Sequence, residues 1–287
     1  MTLQQITPRV HVETAHLGSN NSIIVGDDGL ILVDSPHRPT DAMRWNETVS
    51  AFGDTRFVVN TDHHPDHTIG NFWMGGEVVS HRGTRERLLT DAPTDEYLRD
   101  LFARIDPDAV ALVDDYTVRV PNVVFSERLD VHVGGASLEL TFRPGHTANS
   151  LLAWFPQDAV IFTGDIVCEA GLPSFQDSRL SNWFDAIDAV AEYDFEFLVP
   201  GHGEVADRAV VDHYRQLGRE VVAEVAAAIA AGHDRDQACD EIRFEDNIHV
   251  DTDDYVGYPD SLVEMFQRRS ITVIYDNLIE DPSLANR

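Results

Sequence analysis

The chain of 287 residues contains no lysine. All 21 basic residues are arginine, set against 50 Asp and Glu, for a formal net charge of -29. Binding phosphate backbones or anionic lipid surfaces needs basic patches, so neither nucleic acid nor membrane is expected as a partner. The charge is read as composition bias with a solvated acidic surface. The sharper alternative is adaptation to high salt, where it would be screened. Cysteine is also scarce. Cys168 and Cys239 are the only two, which argues against a disulfide scaffold and fits a reducing compartment. No run of about 18 apolar residues occurs, so no membrane-spanning helix is expected. Met1 to Val10 lacks a basic start followed by an apolar stretch. No secretory signal is read there, and a cytoplasmic location is expected.

The chemistry is concentrated in Thr61-Asp62-His63-His64-Pro65-Asp66-His67, directly after the run Arg56-Phe57-Val58-Val59-Asn60. That pattern reads as a buried strand ending in a ligand-rich loop. Histidine and aspartate together suit a borderline divalent ion such as zinc, manganese or iron. Taken alone, the stretch could be a polar surface loop. Three more strand-end motifs argue against that: Pro144-Gly145-His146-Thr147, Phe162-Thr163-Gly164-Asp165 and Val199-Pro200-Gly201-His202-Gly203. In each, a glycine precedes the potential ligand and lets the backbone turn tightly toward a shared centre.

With these four elements in this order, the chain resembles the metallo-β-lactamase superfamily from about Val10 to about Val205. The resemblance takes in Gly18-Ser19-Asn20-Asn21-Ser22-Ile23-Ile24-Val25 and Gly29-Leu30-Ile31-Leu32-Val33-Asp34. It implies an αββα sandwich of two facing mixed sheets, and a site for one or two metals that activate a water. His64 and His146 would fall in the first metal site, and Asp66, His67 and His202 in the second. Asp165 would bridge them, and Asp34 would brace the ligand loop. Two zinc ions are expected, with manganese or iron as alternatives.

One position departs from the family pattern. The loop normally runs His-x-His-x-Asp-His, and here Asp62 replaces the first histidine. His63 is one residue out of phase, and neighbouring side chains on an extended segment point to opposite sides. Asp62 either ligates through oxygen, which would make the first site harder, or orients another ligand from behind it. Ligation is preferred. Other nearby residues carry weaker readings. His63 is placed outside the metal site, His37 and Arg38 on an exposed loop at the pocket mouth, and Cys168 as a small buried hydrophobe or a thiol near the site. Asn71 and Ser150 are expected to fix backbone. The remaining histidines are expected to be structural or exposed.

Strand-like runs are read at Ser22–Val25, Leu30–Val33, Phe57–Asn60, Glu77–Ser80, Val123–Phe125, Val131–Val133, Ser137–Phe142, Leu151–Phe155, Ala159–Phe162 and Phe195–Val199. Helical periodicity is read at Pro39–Phe52, Glu96–Ile105, Ser181–Tyr193, Asp207–Ala231 and Pro259–Leu278. Ser181 is a candidate N-cap and Gly232 a helix stop. The layout is one domain, 1–287, with a motif-bearing core over 1–205 and a helical extension over 206–287. The two halves are expected to meet near Pro121. Segment 90–120 and the C-terminal part, including Tyr255-Val256-Gly257-Tyr258-Pro259, would shape the substrate pocket, form a homodimer contact, or simply pack on the core.

The functional expectation is a metal-dependent hydrolase of a small-molecule ester, lactone, thioester or amide. Asp66 would orient the attacking water or accept its proton. The alternatives are a mononuclear iron oxidoreductase of the same fold, resembling sulfur dioxygenases, and a non-catalytic binding protein.

Overall fold

Alternating apolar side chains build two sheets that face one another. In the computed structural model, which describes residues 3–246, 248 and 260–287, the first sheet is β1 (Gln4–Gln5), β2 (Val10–Glu13), β3 (Asn21–Gly26), β4 (Gly29–Val33), β5 (Thr55–Val59), β6 (Glu77–His81) and β7 (Val123–Phe125), side by side in sequence order. Its first four strands are antiparallel, and β4 through β7 run parallel. The second sheet has the order β12-β11-β10-β9-β8, from β8 (Arg128–Val133), β9 (Ala136–Phe142), β10 (Leu151–Phe155), β11 (Val160–Gly164) and β12 (Phe197–Pro200). Only its β11–β12 pair is parallel.

The period of two decides which side chains go where. Ile24, Ile31, Val33 and Val59 face the second sheet's Leu138, Leu140, Leu151 and Phe162. Their neighbours Ile23, Leu30, Leu32 and Val58 turn outward onto Trp45 and Val49 of α1 (Pro39–Ser50). On the other side, Leu152, Ile161 and Leu198 meet α5 (Leu180–Val190), α6 (Ala209–Ala230), α7 (Arg235–Glu241) and α8 (Asp260–Glu280), with Trp183 and Tyr214 in that layer. The result is the αββα sandwich. Three more helices decorate the first half: α2 (Pro65–Thr68), α3 (Arg82–Thr90) and α4 (Asp95–Ile105). No described helix is long and apolar enough to cross a membrane.

Some local expectations need correction. The first sheet ends at Phe125 and the second begins at Arg128, so the halves meet a few residues after Pro121. The strand read from Ala159 starts at Val160, because Ala159 sits in a left-handed turn at φ 52. Ser181 is not the N-cap of α5, which begins at Leu180. The amide of Leu180 instead donates to Asn277 Oδ1 on α8 at 3.2 Å, a cap supplied from across the fold. Gly232 does follow the end of α6, at φ 89. The Tyr255–Pro259 run and His249 lie outside the described residues.

Candidate metal centre

The strand β5 delivers the loop of residues 60–64, and α2 begins at Pro65, whose ring suits a first helical turn. The loop is held from below by Asp34, at the end of β4. Its carboxylate accepts from the Thr61 amide (2.8 Å), the Thr61 hydroxyl (2.7 Å) and His67 Nδ1 (2.9 Å). Asp34 is buried and adopts φ 57, a left-handed conformation that Asp tolerates better than most residues. Within the loop, Asp62 Oδ1 accepts the His64 amide at 2.8 Å, leaving Oδ2 free to face inward.

From the second half come His146 after β9, Asp165 after β11 and His202 after β12. The glycines before two of these are required by close packing. A Cβ on Gly164, at φ 49, would lie 2.4 Å from Thr61 Oγ1, and one on Gly201 would lie 1.9 Å from Asp165 Oδ1. Asn20, which the sequence reading did not single out, clamps the His202 loop. Its amide reaches Gly201 O (2.7 Å) and its side chain reaches Pro200 O (3.0 Å) and Gly203 O (2.8 Å).

Seven of the side chains singled out in the sequence converge into two groups. Asp62, His64, His146 and Asp165 form one; Asp66, His67, Asp165 and His202 form the other; within each group one donor atom per residue lies within 4.8 Å of the rest. Asp165 belongs to both. Its Oδ2 is 3.5 Å from His146 Nε2 and 3.4 Å from His202 Nε2, and its Oδ1 is 3.3 Å from His67 Nε2. Asp66 Oδ2 lies 3.3 Å from His202 Nε2.

Three histidines have their rings fixed from behind. His67 gives Nδ1 to Asp34 (2.9 Å), His146 gives Nδ1 to Ser174 O (3.1 Å), and His64 gives Nε2 to Asp177 Oδ2 (2.8 Å). Each outward contact selects a tautomer and leaves the other nitrogen facing the centre. Asp177 was not found in the sequence. It is a single aspartate on the loop between β11 and α5, 113 residues from His64, and no motif marks it.

The chemistry of the set fits a divalent cation. Asp62 Oδ2, His67 Nε2 and Asp165 Oδ1 are buried and have no hydrogen-bond partner among the described residues. Each such atom costs about 1–3 kcal/mol if left unpaired, and one ion in each group would satisfy all three. The electrostatics point the same way. Burial opposes a charge on His64, yet Asp62 and Asp177 hold its pKa up at about 9. His67 is likewise raised well above its ordinary value, against burial, by Asp62, Asp34 and Asp165. Asp66 and Asp165 fall below the usual carboxylate range: burial works against this, but nearby His67 and His202 prevail. The floor therefore carries anionic oxygens that draw positive charge to themselves.

His63 lies outside the two shared groups but borders the first, with Nε2 4.0 Å from Asp177 Oδ2 and a third possible donor group formed with His64 and Asp177. Its Nδ1 meets Asn149 Oδ1 at 3.1 Å. His37 differs from the exposed loop residue expected: it is buried and lines the cavity above the two groups. Cys168 is buried at the same cavity, and neither it nor Cys239 is in a disulfide. Ser150 accepts the Thr147 amide and so fixes backbone, whereas Asn71 pairs side chain to side chain with Asn60; neither lines the cavity.

A sequence model of the metallo-beta-lactamase superfamily matches residues 16–202. The Beta-lactamase-like protein 2 homolog of Caenorhabditis elegans is 29% identical over 99 residues, 32% of this chain and 33% of that protein. The chain spans about a third of the length of the curated relatives it matches. Among solved structures, a metallo-beta-lactamase family protein of Thermus thermophilus superposes with a TM-score of 0.72 at 15% identity, covering 97% of this chain and 96% of that one. A variant of the sec-alkyl sulfatase PisA1 superposes with a TM-score of 0.71 at 16% identity, covering 98% of this chain and 51% of that one.

Proposed function

The chain belongs to the metallo-β-lactamase superfamily, and from that premise we propose that it is a dinuclear metal-dependent hydrolase of a small-molecule ester, lactone, thioester or amide. The observation that carries the reading is the pair of His/Asp groups sharing Asp165 at the floor of one cavity. Asp62, His64 and His146 would hold the first ion, Asp66, His67 and His202 the second, with Asp165 between them. Zinc is the preferred ion, and the extra carboxylate of Asp62 admits manganese or iron. Bound there, two dications would lower the pKa of water and polarise the substrate carbonyl.

The residues do the rest. Asp66, held beside His202, orients the attacking water and accepts its proton. The water oxygen joins the carbonyl carbon, the bond to the leaving alcohol, thiol or amine breaks, and the leaving group takes up the proton. His37 walls the floor beside Asp66. The mononuclear iron alternative uses one group, whereas the geometry assembles both.

Elemental analysis of protein purified without added metal or chelator should give about two ions per chain, falling toward one in Asp62→Ala. About one iron per chain, unchanged in that variant, would move the assignment to the oxidoreductase. Asp66→Ala should abolish hydrolysis even where an ion remains, and full activity in that variant would remove the mechanism. The substrate panel includes a sulfate ester, because the fold is shared with a sec-alkyl sulfatase.

A further inference from the structure

Two helices outside the ligand loops stand over the metal floor. On α4 the residues that line the cavity are Tyr97, Asp100, Leu101 and Arg104; on α8 they are Leu262, Met265, Phe266 and Arg269. Both sets follow the spacing i, i+3, i+4, i+7, so each helix turns a single stripe to the cavity. Each stripe ends in an arginine; the α8 stripe is otherwise apolar, whereas on α4 Leu101 lies between Tyr97 and the Asp100–Arg104 pair. The slot holds about 390 Å³, within the range of ordinary small-molecule pockets.

The two arginines differ. Arg104 is paired with Asp100 at 2.8 Å on its own helix. Arg269 forms no ion pair with a carboxylate of the described residues, in a chain with more than two acidic groups per basic one. Arg269 is exposed at the rim of the slot, apart from the ligand-bearing floor. Tyr97 lies in both fields: burial raises its phenol, Asp66 raises it further, and Arg269 opposes the rise. An anion at the substrate's far end, remote from the floor, would be met by a fork of donors at this rim.

We propose that the substrate is an elongated molecule with an apolar body lying between α4 and α8 and an anionic group at the end remote from the reacting bond, recognised by Arg269. This rests on the hydrolase reading above and names its substrate class. Arg269 is a specificity residue and takes no part in bond breaking.

The test uses product-like ligands, so that no turnover is needed. Calorimetric titration compares octanoate, with one carboxylate for the floor, with octanedioate, which carries a second carboxylate at its far end. Arg269 is exposed, so a charge-assisted pair there should make octanedioate about three- to fivefold tighter. Arg269→Gln should bring the two affinities together, and Arg269→Lys should keep part of the gap. In kinetics, monomethyl octanedioate should show a lower KM than methyl octanoate, with Arg269→Gln erasing the difference at unchanged kcat. Equal affinities in the native protein, or a gap that survives Arg269→Gln, overturn the proposal. Failure to hydrolyse either ester while the charge-dependent binding persists counts against the hydrolase reading and leaves the recognition by Arg269 standing.

Discussion

Removing the carboxylate of Asp177 should weaken one metal position and spare the other. Asp177 touches no predicted ligand atom that faces the centre. It holds the far side of His64, at 2.8 Å from Nε2, which commits Nδ1 to the first group. A hydrogen bond to a charged acceptor contributes about 1.5–3 kcal/mol when fully shielded. The Asp177 side chain is 39% exposed, so solvent screening places the figure nearer the lower end. At about 1.4 kcal/mol per tenfold, the first ion should bind roughly tenfold more weakly in Asp177→Ala. That agrees with the range of about 10–100-fold for groups that orient metal-bound histidine. Asp177→Asn keeps an acceptor and should lose less. Competition with a chromophoric chelator, resolved into two steps, reads both affinities. The second group contains no atom held by Asp177, so its constant should not change. Equal weakening of both steps, or of neither, would refute the argument that the tautomer of His64 is set from this loop.

Other expectations follow from the same geometry. Gly201→Ala puts a methyl group where Asp165 Oδ1 now lies, so the variant should lose at least one metal equivalent while keeping its circular dichroism spectrum; full occupancy would show that the loop relaxes. Asp34→Asn replaces a buried carboxylate with three donors, and should lower the melting temperature by several degrees, corresponding to about 1–3 kcal/mol; an unchanged midpoint would contradict the bracing role. With a formal charge of -29, self-repulsion should be relieved by salt, so the melting temperature should rise from about 0.1 M to about 1 M sodium chloride. A flat or falling curve would show that the acidic surface does not strain the fold.

Much of the architecture was legible because period-two alternation and glycine turns mark strands that bury one face at a time. The loop from Asp62 to His67 was legible for a related reason: phase on an extended segment keeps His63, bonded to Asn149, out of the two groups that share Asp165, although its ring stays 4.7 Å from that of His64. What escaped lacks local pattern. The helix α3, Arg-Gly-Thr-Arg-Glu-Arg-Leu-Leu-Thr, has almost no apolar period, and its start is capped by the side chain of His81. The strand β2 was available in the alternation Val10-His11-Val12-Glu13 but is short. The cap of α5 is Asn277, 97 positions away, and Asp177 meets His64 only through tertiary folding. The stripes on α4 and α8 were hidden differently. Their helices were visible, but a mixed apolar and charged face looks the same whether it borders solvent or a cavity.

The seam between the sheets gives the centre a mechanical meaning. Asp62, His64, Asp66 and His67 ride on the first sheet, whereas His146, Asp165 and His202 ride on the second. Neither half of the chain owns a complete group, so an ion bound there would act as a rivet through both sheets. It would bind the docked halves and not the separated ones, so each tenfold excess over its dissociation constant would add about 1.4 kcal/mol to their cohesion. Chelation should therefore loosen the seam before it melts either sheet, and hydrogen exchange along β4 and β11 would register the protein's metal load as a stiffness.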